Sequence, residues 1–253
     1  MDPVRAYSLL VVGGCGWLGS LVLPHLAQDH DVTVLDLRPP SLPVSGVAYH
    51  EGDVRDFDLV TGLAFGADSL VYLATGAQDG WGTPHTIRQH FDAGVTGLHL
   101  ALTAAHGAGV SHAVYASSMS VHRRTVAGTD RPATGDQLAR FPDESAQPDA
   151  RDFYGLAKRL GEEVCRAASD EWGMDTVCLR LSLPTPDHEW PRRGTIVEQL
   201  VSTAASDVAS AVEAAVRYRG HGFDAFAISG DSAGRVMNLD RAKRLLGWTP
   251  RPR

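Results

Sequence analysis

The chain alternates along its length between short apolar runs and longer amphipathic segments. Each apolar run has the unbroken hydrophobicity of a strand buried on both faces of a parallel sheet. These predicted strands span residues 9–12, 32–35, 47–50, 69–73, 113–116, 176–181 and 225–228. The alternation predicts an α/β fold, namely a Rossmann-type doubly wound parallel sheet with helices on both faces.

The segments between the strands predict helices and one long loop. Helices are expected at residues 17–27, 56–63, 86–106, 154–172, 206–218 and 240–246, and a functional loop or lid between residues 121 and 150. We expect residues 1–181 to form an NAD(P)-binding Rossmann domain. Residues 182–253 are expected to form a small substrate-binding region, which covers the site and includes a returning strand and helix.

The first apolar run leads directly into a glycine-rich turn. Gly13, Gly16 and Gly19 are spaced three apart, and Trp17 and Leu18 begin the helix that follows. Such a turn directs backbone N–H groups and the positive end of the helix dipole at one point, where a pyrophosphate can approach without meeting a Cβ. The pattern therefore predicts a dinucleotide site.

Asp36 supports this interpretation because it ends the second strand roughly 20 residues after the glycines. A carboxylate at that point can accept a hydrogen bond from a ribose 2′-hydroxyl. It would also repel a 2′-phosphate, which favours NAD over NADP, whereas Arg38 keeps NADP open. Leu37 lies between the two and belongs to the same group of predicted cofactor contacts.

Further cofactor contacts are predicted where the third and fourth strands end. Asp53 follows the third strand, where its carboxylate can accept from the adenine amine; the alternative is the N-cap of the next helix. Leu73 ends the fourth strand, and Ala74 and Thr75 follow it, where small residues let a cofactor lie against the backbone.

Three polar side chains predict acid–base chemistry. Tyr154 and Lys158 are four residues apart and share one face of a helix. A tyrosine needs its pKa lowered by roughly 3 units to act as a base near neutral pH, and we expect the lysine ammonium and an oxidised nicotinamide ring to lower it. Ser118, after the fifth strand, can hold the substrate oxygen while Tyr154 moves the proton. Ser117 beside it is a candidate substrate contact.

With these residues in order, the chain resembles the extended short-chain dehydrogenases/reductases, the NAD-dependent epimerase/dehydratase family. The resemblance implies that Ser118, Tyr154 and Lys158 form a catalytic triad, that Asp36 binds the adenosine ribose and that Asp53 and Val54 bind adenine. It also implies NAD as the cofactor. The matching segments include residues 13–19, 52–54, 72–74, 114–118, 154–158, 206–209 and 246–250.

The chain departs from the family pattern at two places. Gly94 stands where an Asn is usual in the long helix. His122 and Arg123 replace a usual Tyr-Gly pair, which suggests a different substrate rim.

In layout the chain is similar to short family members, the uronate dehydrogenases, although it has Met119-Ser120 in place of their Asn-His. This similarity implies that Arg192 or Arg193 pairs with a substrate carboxylate; the alternative is that both arginines simply lie on a solvated loop. Ser182, in the same region, is a further candidate substrate contact.

Three functions follow. The first is an NAD-dependent oxidoreductase that acts on a small sugar, sugar acid or related alcohol or carbonyl compound. The second is an epimerase or dehydratase that keeps NAD bound and acts on a sugar or nucleotide sugar. The third is a non-catalytic dinucleotide-binding sensor, against which the three intact residues Ser118, Tyr154 and Lys158 argue.

Composition narrows the partners. The net charge of −7 argues against nucleic acid and against an anionic membrane surface. The three cysteines and the scattered histidines lack metal-ligand spacing, so no metal is expected. Neither a signal peptide nor a long apolar run is apparent, which predicts a cytoplasmic protein. The resemblance further implies a homodimer formed through the long helix and the 154–172 helix, with Gly94 and Gly97 permitting close approach.

Overall fold

The computed structural model describes residues 6–123 and 140–251 and contains a parallel sheet of seven strands. Its order is β3-β2-β1-β4-β5-β6-β9, and every neighbouring pair is parallel. This architecture confirms the Rossmann-type fold expected from the sequence. The strands are β1 Ser8–Val12, β2 Asp31–Asp36, β3 Val47–Glu51, β4 Ser69–Tyr72, β5 His112–Ser118, β6 Asp175–Leu181 and β9 Phe223–Ile228. A second sheet pairs β7 Pro184–Thr185 with β8 Thr203–Ala204.

Helices cover the main sheet. They are α1 Trp17–Asp29, α2 Phe57–Ala64, α3 Pro84–Phe91, α4 Leu98–Gly107, α5 Phe153–Trp172, α6 Ile196–Val201 and α7 Ala205–Arg217. The single helix expected at 86–106 is instead interrupted by a π-helical stretch, Asp92–Gly97, between α3 and α4. Two glycines lie in that stretch, and glycine holds regular α-helical geometry less firmly than other residues. No helix within the two described ranges is long and apolar enough to cross a membrane.

Side chains on successive residues of each strand enter two separate cores. On β1, Leu9 and Val11 pack into the cluster that also contains residues of α1 and α7. Leu10 and Val12 pack into the opposite cluster, with residues of α2, α4 and α5. This alternation is the pleat of a strand covered on both faces, and it explains why the sequence shows an unbroken apolar run.

The two glycines of the π-helical stretch pack inside the molecule. A Cβ on Gly97 would lie 2.8 Å from Val54 Cγ1 and 2.9 Å from the Tyr72 hydroxyl. Gly94 is buried as well, facing Ala157 and Tyr115. The expectation that these glycines allow a second copy to approach is therefore wrong, because they serve contacts within the chain. The homodimer itself stays a prediction.

The C-terminal part of the described chain divides between two cores. α7 and β9 belong to the main sheet and its helical cover. A smaller cluster combines Met119 and Phe141 with Val201, Val236 and Met237. The expected substrate-binding region contributes Val201, Val236 and Met237 to this cluster, and its role in covering a substrate stays a prediction. The division of the chain at residue 181 stays a prediction. The main sheet extends across it, because its last strand, β9, comes from residues beyond 181.

A buried ion pair joins α5 to the sheet. Arg180 on β6 donates from Nε to Glu162 Oε1 at 2.9 Å and from Nη2 to Oε2 at 2.8 Å. Ser117 Oγ donates to Glu162 Oε1 at 2.6 Å. Burial, and then the charge of Arg180, lowers the pKa of His122, whose Nε2 lies 3.3 Å from Arg180 Nη1. His122 is thus part of this buried network, and the different substrate rim stays a prediction.

Replacing Arg180 with leucine should destabilise the fold by about 3–5 kcal/mol, because it leaves the Glu162 carboxylate buried without a positive partner. The double variant E162L/R180L should recover most of that loss, since it removes both charges. Urea denaturation of the three proteins measures the effect. If the double variant is as unstable as R180L, the unpaired charge is not the cause.

Candidate functional site

The glycine turn is shaped by two close approaches of the backbone. Gly13 has a φ of +83°, which favours glycine, and a Cβ there would lie 2.5 Å from Ala74 Cα. A Cβ on Gly19 would lie 2.0 Å from the Gly14 carbonyl oxygen. The first contact brings the turn against the end of β4, and the second brings α1 against the turn.

The space in front of α1 fits a diphosphate. Gly16 is the N-cap of α1, and a Cβ built on it would meet only the Gly13 carbonyl oxygen, at 3.4 Å. The first turn reads Trp17-Leu18-Gly19-Ser20 and so has no carboxylate to neutralise the positive helix end. Backbone N–H groups at a helix start have no partner within the helix, so those of Trp17 and Leu18 are available to an anion.

Asp36 lies beside the glycine turn, where the sequence predicts it. Its Oδ2 accepts from the Cys15 N–H at 2.9 Å, and its Oδ1 accepts from the Arg38 N–H at 3.3 Å. Burial, and then the Asp36 charge, raises the pKa of the Cys15 thiol to about 11, so the thiol is protonated at neutral pH. Leu37 is exposed next to this carboxylate. The arrangement leaves the Asp36 side chain at the carboxyl end of β2, where a ribose would lie.

The Asp53 carboxylate binds the Arg55 side chain and does not cap the next helix, α2. Arg55 donates to both carboxylate oxygens, with Nη2 2.6 Å from Oδ2, and this contact lowers the pKa of Asp53. The N-cap of α2 is Asp56, whose Oδ1 accepts from the Leu59 N–H at 3.1 Å. The N-cap alternative for Asp53 is therefore wrong. Its contact with adenine, together with that of Val54, stays a prediction.

Residues 73–75 continue from β4 toward the same edge of the sheet. Leu73 is buried and its N–H donates to the Val12 carbonyl at 2.8 Å, next to the glycine turn. Thr75 Oγ1 lies 3.2 Å from Nδ1 of His90, a histidine on α3. Burial lowers the pKa of His90, so its ring is neutral at physiological pH.

The three predicted catalytic side chains lie where α5 packs on β5. Ser118 ends β5, and Tyr154 and Lys158 are one turn apart on α5. Ser118 lies close to the Tyr154 hydroxyl, and its Oγ accepts from the Ser120 N–H at 3.1 Å. Lys158 is buried, and its Nζ donates to the Ala116 carbonyl at 2.6 Å.

Burial acts on the two ionisable groups in opposite directions. It raises the pKa of Tyr154, and the nearby Ser118 hydroxyl offsets this only in part. It lowers the pKa of Lys158 to about 8. The expected lowering of the Tyr154 pKa is thus not a property of the protein alone, because the Lys158 ammonium donates to the backbone of β5 and desolvation of the phenol prevails.

The predicted substrate residues are placed less uniformly. The Ser117 hydroxyl donates to Glu162, so it takes part in the buried network and is not directed at the Ser118 side. Ser182 is buried directly after β6. Arg192 and Arg193 lie on an exposed loop, and no hydrogen bond or ion pair within the described residues joins either of them to Ser118 or Tyr154.

Three further aromatic rings form one group with Tyr154, and no sequence motif predicts them. Trp81, His90 and Phe153 come from the β4–α3 connection, α3 and the start of α5. The β4–α3 connection and α3 carry no recognisable motif, and the contact of their rings with Tyr154 depends on how the helices pack. Across the described ranges, no group of three metal-ligating side chains stands close enough to hold an ion.

A glycine turn at a helix start, an acidic end of β2 and a Ser, Tyr, Lys group at the same sheet edge define a Rossmann-fold protein that binds a nicotinamide dinucleotide. The family model for the NAD dependent epimerase/dehydratase family matches residues 9–222. The chain belongs to that family. Membership confirms the resemblance and the NAD cofactor expected from the sequence.

Two of the curated relatives are named as sugar dehydrogenases. L-arabinose 1-dehydrogenase (NAD(P)(+)) of Haloferax volcanii is 28% identical over 176 residues, which cover 68% of this chain and 65% of the relative. Uronate dehydrogenase of Pseudomonas putida is 28% identical over 187 residues, which cover 71% of this chain and 63% of the relative. The matched part thus spans a little less than two thirds of each relative.

A solved structure extends the likeness in fold to nearly the whole chain. A mutated uronate dehydrogenase matches with a TM-score of 0.78 at 22% identity, over 98% of this chain and 82% of the other. At this identity the structural match supports the fold alone.

The buried ammonium of Lys158 makes a prediction about stability. Its pKa is lowered from 10.5 to about 8, so the charged form is disfavoured by folding below pH 8, and this cost disappears as pH rises toward 10.5. The variant K158M should be more stable than wild type at pH 7 by roughly 1–2 kcal/mol, since about 3 kcal/mol of charge burial is removed and about 1 kcal/mol of hydrogen bond is lost.

Urea denaturation at pH 7 and pH 10 measures this difference. The stability difference between K158M and wild type should shrink at pH 10. Wild-type Lys158 is neutral there in the folded state, so half or more of the free-energy cost of burying its charge is gone. A K158M variant that is less stable than wild type at pH 7 would contradict the burial cost.

Proposed function

We propose that the protein is an NAD-dependent oxidoreductase of the extended short-chain dehydrogenase type, which acts on a small sugar, sugar acid or related alcohol or carbonyl compound. The observation that carries the proposal is the position of Ser118, at the end of β5 and close to Tyr154 of α5, with Lys158 one helical turn away and bonded to the Ala116 carbonyl of β5. These groups stand at the carboxyl edge of the parallel sheet, the edge at which open α/β folds bind ligands.

Each residue has a distinct role in this reaction. Ser118 holds the substrate oxygen by a hydrogen bond, and Tyr154 takes up or returns the hydroxyl proton. Lys158, fixed by the Ala116 carbonyl, supplies positive charge below this phenol. NAD, when bound, supplies the acceptor for the hydride that leaves the substrate carbon. Trp17 and Leu18 N–H groups would hold its diphosphate.

The sugar class is supported by the relatives, whose names describe dehydrogenases of L-arabinose and of uronates. Arg192 and Arg193 are the groups available to pair with a substrate carboxylate, since a guanidinium binds a carboxylate through two parallel hydrogen bonds. Their exposed loop leaves them free to do so on substrate binding. Ser182 completes the proposed substrate contacts.

The family name also favours a second candidate, an epimerase or dehydratase with tightly bound NAD. Turnover distinguishes the two. A dehydrogenase produces a lasting rise in reduced-nicotinamide absorbance when sugar and NAD are added, whereas an epimerase forms product without it. A panel of L-arabinose, D-glucuronate, D-galacturonate and the corresponding polyols, each tested with NAD and NADP, makes this comparison.

Replacing Tyr154 with phenylalanine should lower kcat by about 10²–10⁴-fold, because the ring stays in place and the acid–base hydroxyl is lost. The affinity for NAD should change less than threefold. Absorbance assays and an NAD titration measure the two quantities.

The matched control is Y218F, which removes a hydroxyl that donates to Asp224 beside the amino end of β9. It should keep the wild-type kcat. Full activity of Y154F would overturn the assigned mechanism.

Replacing Asp36 with asparagine should shift the preference from NAD toward NADP by about tenfold or more in the ratio of kcat/KM values. The amide keeps an oxygen that can accept from the Cys15 N–H, but it removes the charge that repels a 2′-phosphate. D31N, at the other end of β2, is the control and should leave the ratio unchanged. An unchanged ratio in D36N would mean that this carboxylate does not contact the ribose.

A further inference from the structure

Four aromatic rings form a cluster around the proposed acid–base group. The Trp81 ring lies 4.7 Å from that of Phe153, 5.4 Å from that of Tyr154 and 5.3 Å from that of His90, between centroids. His90 meets the Tyr154 ring edge-on at 5.5 Å and Phe153 at 5.3 Å. Trp81 and His90 therefore each contact every other member of this cluster. Trp81 belongs to the β4–α3 connection, and His90 belongs to α3.

The turn that carries Trp81 is well defined. Gly80 and Gly82 flank it with φ values of +70° and +80°, which strain other residues. The Gly80 carbonyl accepts from the Thr83 N–H at 3.0 Å and from the Thr86 hydroxyl. Thr83 in turn caps α3. Since this turn is bonded to the helix start, the indole is held at a set position beside Tyr154.

The exposure of Trp81 distinguishes it from a core residue. Its side chain is 51% exposed, while His90 is buried and Phe153 and Tyr154 are half-buried. Trp81 thus combines a half-exposed side chain with direct contact to the Tyr154 ring, so a molecule whose hydroxyl bonds to Tyr154 is within reach of the indole.

We infer that Trp81 is a stacking platform for the ring of a cyclic sugar whose reacting hydroxyl bonds to Tyr154 and Ser118. A pyranose or furanose carries its hydroxyls around the rim and has C–H groups on its faces. An indole offers apolar area and a negative π-face, which suit such C–H groups. The inference rests on the proposed function and adds to it the substrate form, a closed ring and not an open chain.

The test compares three substitutions at this position. W81F keeps an aromatic face, W81L keeps apolar bulk without one, and W81A removes both. With L-arabinose or D-glucuronate as substrate, W81A and W81L should raise KM about tenfold, and W81F should restore most of the loss. The dissociation constant for NAD should change less than twofold in all three. F65A, which removes an exposed aromatic ring after α2, is the control and should match wild type.

A second measurement does not depend on turnover. In a Y154F background with NAD present, calorimetric titration with the same two sugars should show weaker binding when W81L is added, by a similar factor. Thermal melting identifies any variant that fails to fold, and W81L and W81F keep the comparison valid if W81A does so.

The outcomes separate the two proposals. Absence of turnover of the whole sugar panel by wild type would overturn the proposed function, whereas sugar binding that depends on Trp81 would still support the platform. An unchanged KM in W81L, a fall in kcat alone, or an equal loss of NAD affinity would each overturn the platform. The last two results would assign Trp81 to positioning Tyr154 or to the cofactor.

Discussion

The close packing of α5 on β5 is the constraint on which the site depends. A Cβ on Gly155 would lie 2.2 Å from the Ser120 carbonyl oxygen, and one on Gly161 would lie 2.4 Å from the Tyr115 hydroxyl. Any larger side chain at either position would therefore move the helix away from the strand. This close packing brings Tyr154 on the helix near Ser118 at the end of the strand.

The ion pair between Glu162 and Arg180 acts on the same helix. It lies two turns beyond Tyr154 and joins α5 to β6 through two hydrogen bonds, with Ser117 of β5 as a third partner. A buried pair of this kind contributes little net stability, but it disfavours any arrangement in which either charge loses its partner. Its consequence is a defined position of α5 relative to both strands.

The packing that positions the site also removes water from it. The same desolvation raises the pKa of Tyr154 and lowers that of Lys158, so burial shifts both groups toward their neutral forms in the protein alone. Groups in such surroundings respond strongly to a charge brought near them, since little solvent screens it. The β4–α3 connection adds Trp81, a half-exposed side chain whose ring contacts that of Tyr154.

The sequence by itself determined the parallel sheet, the glycine turn, Asp36 and the order of Ser118, Tyr154 and Lys158, because each is encoded in a local pattern or in a fixed spacing along one element. Tertiary structure alone decided that Gly94 and Gly97 face inward, that Ser117 and His122 belong to the Glu162–Arg180 network, and that Trp81 meets Tyr154. These contacts join segments far apart in the chain, and the distance between packed elements is set by side chains on both. No local pattern contains that information, so the sign of the Tyr154 pKa shift followed from burial and not from residue spacing.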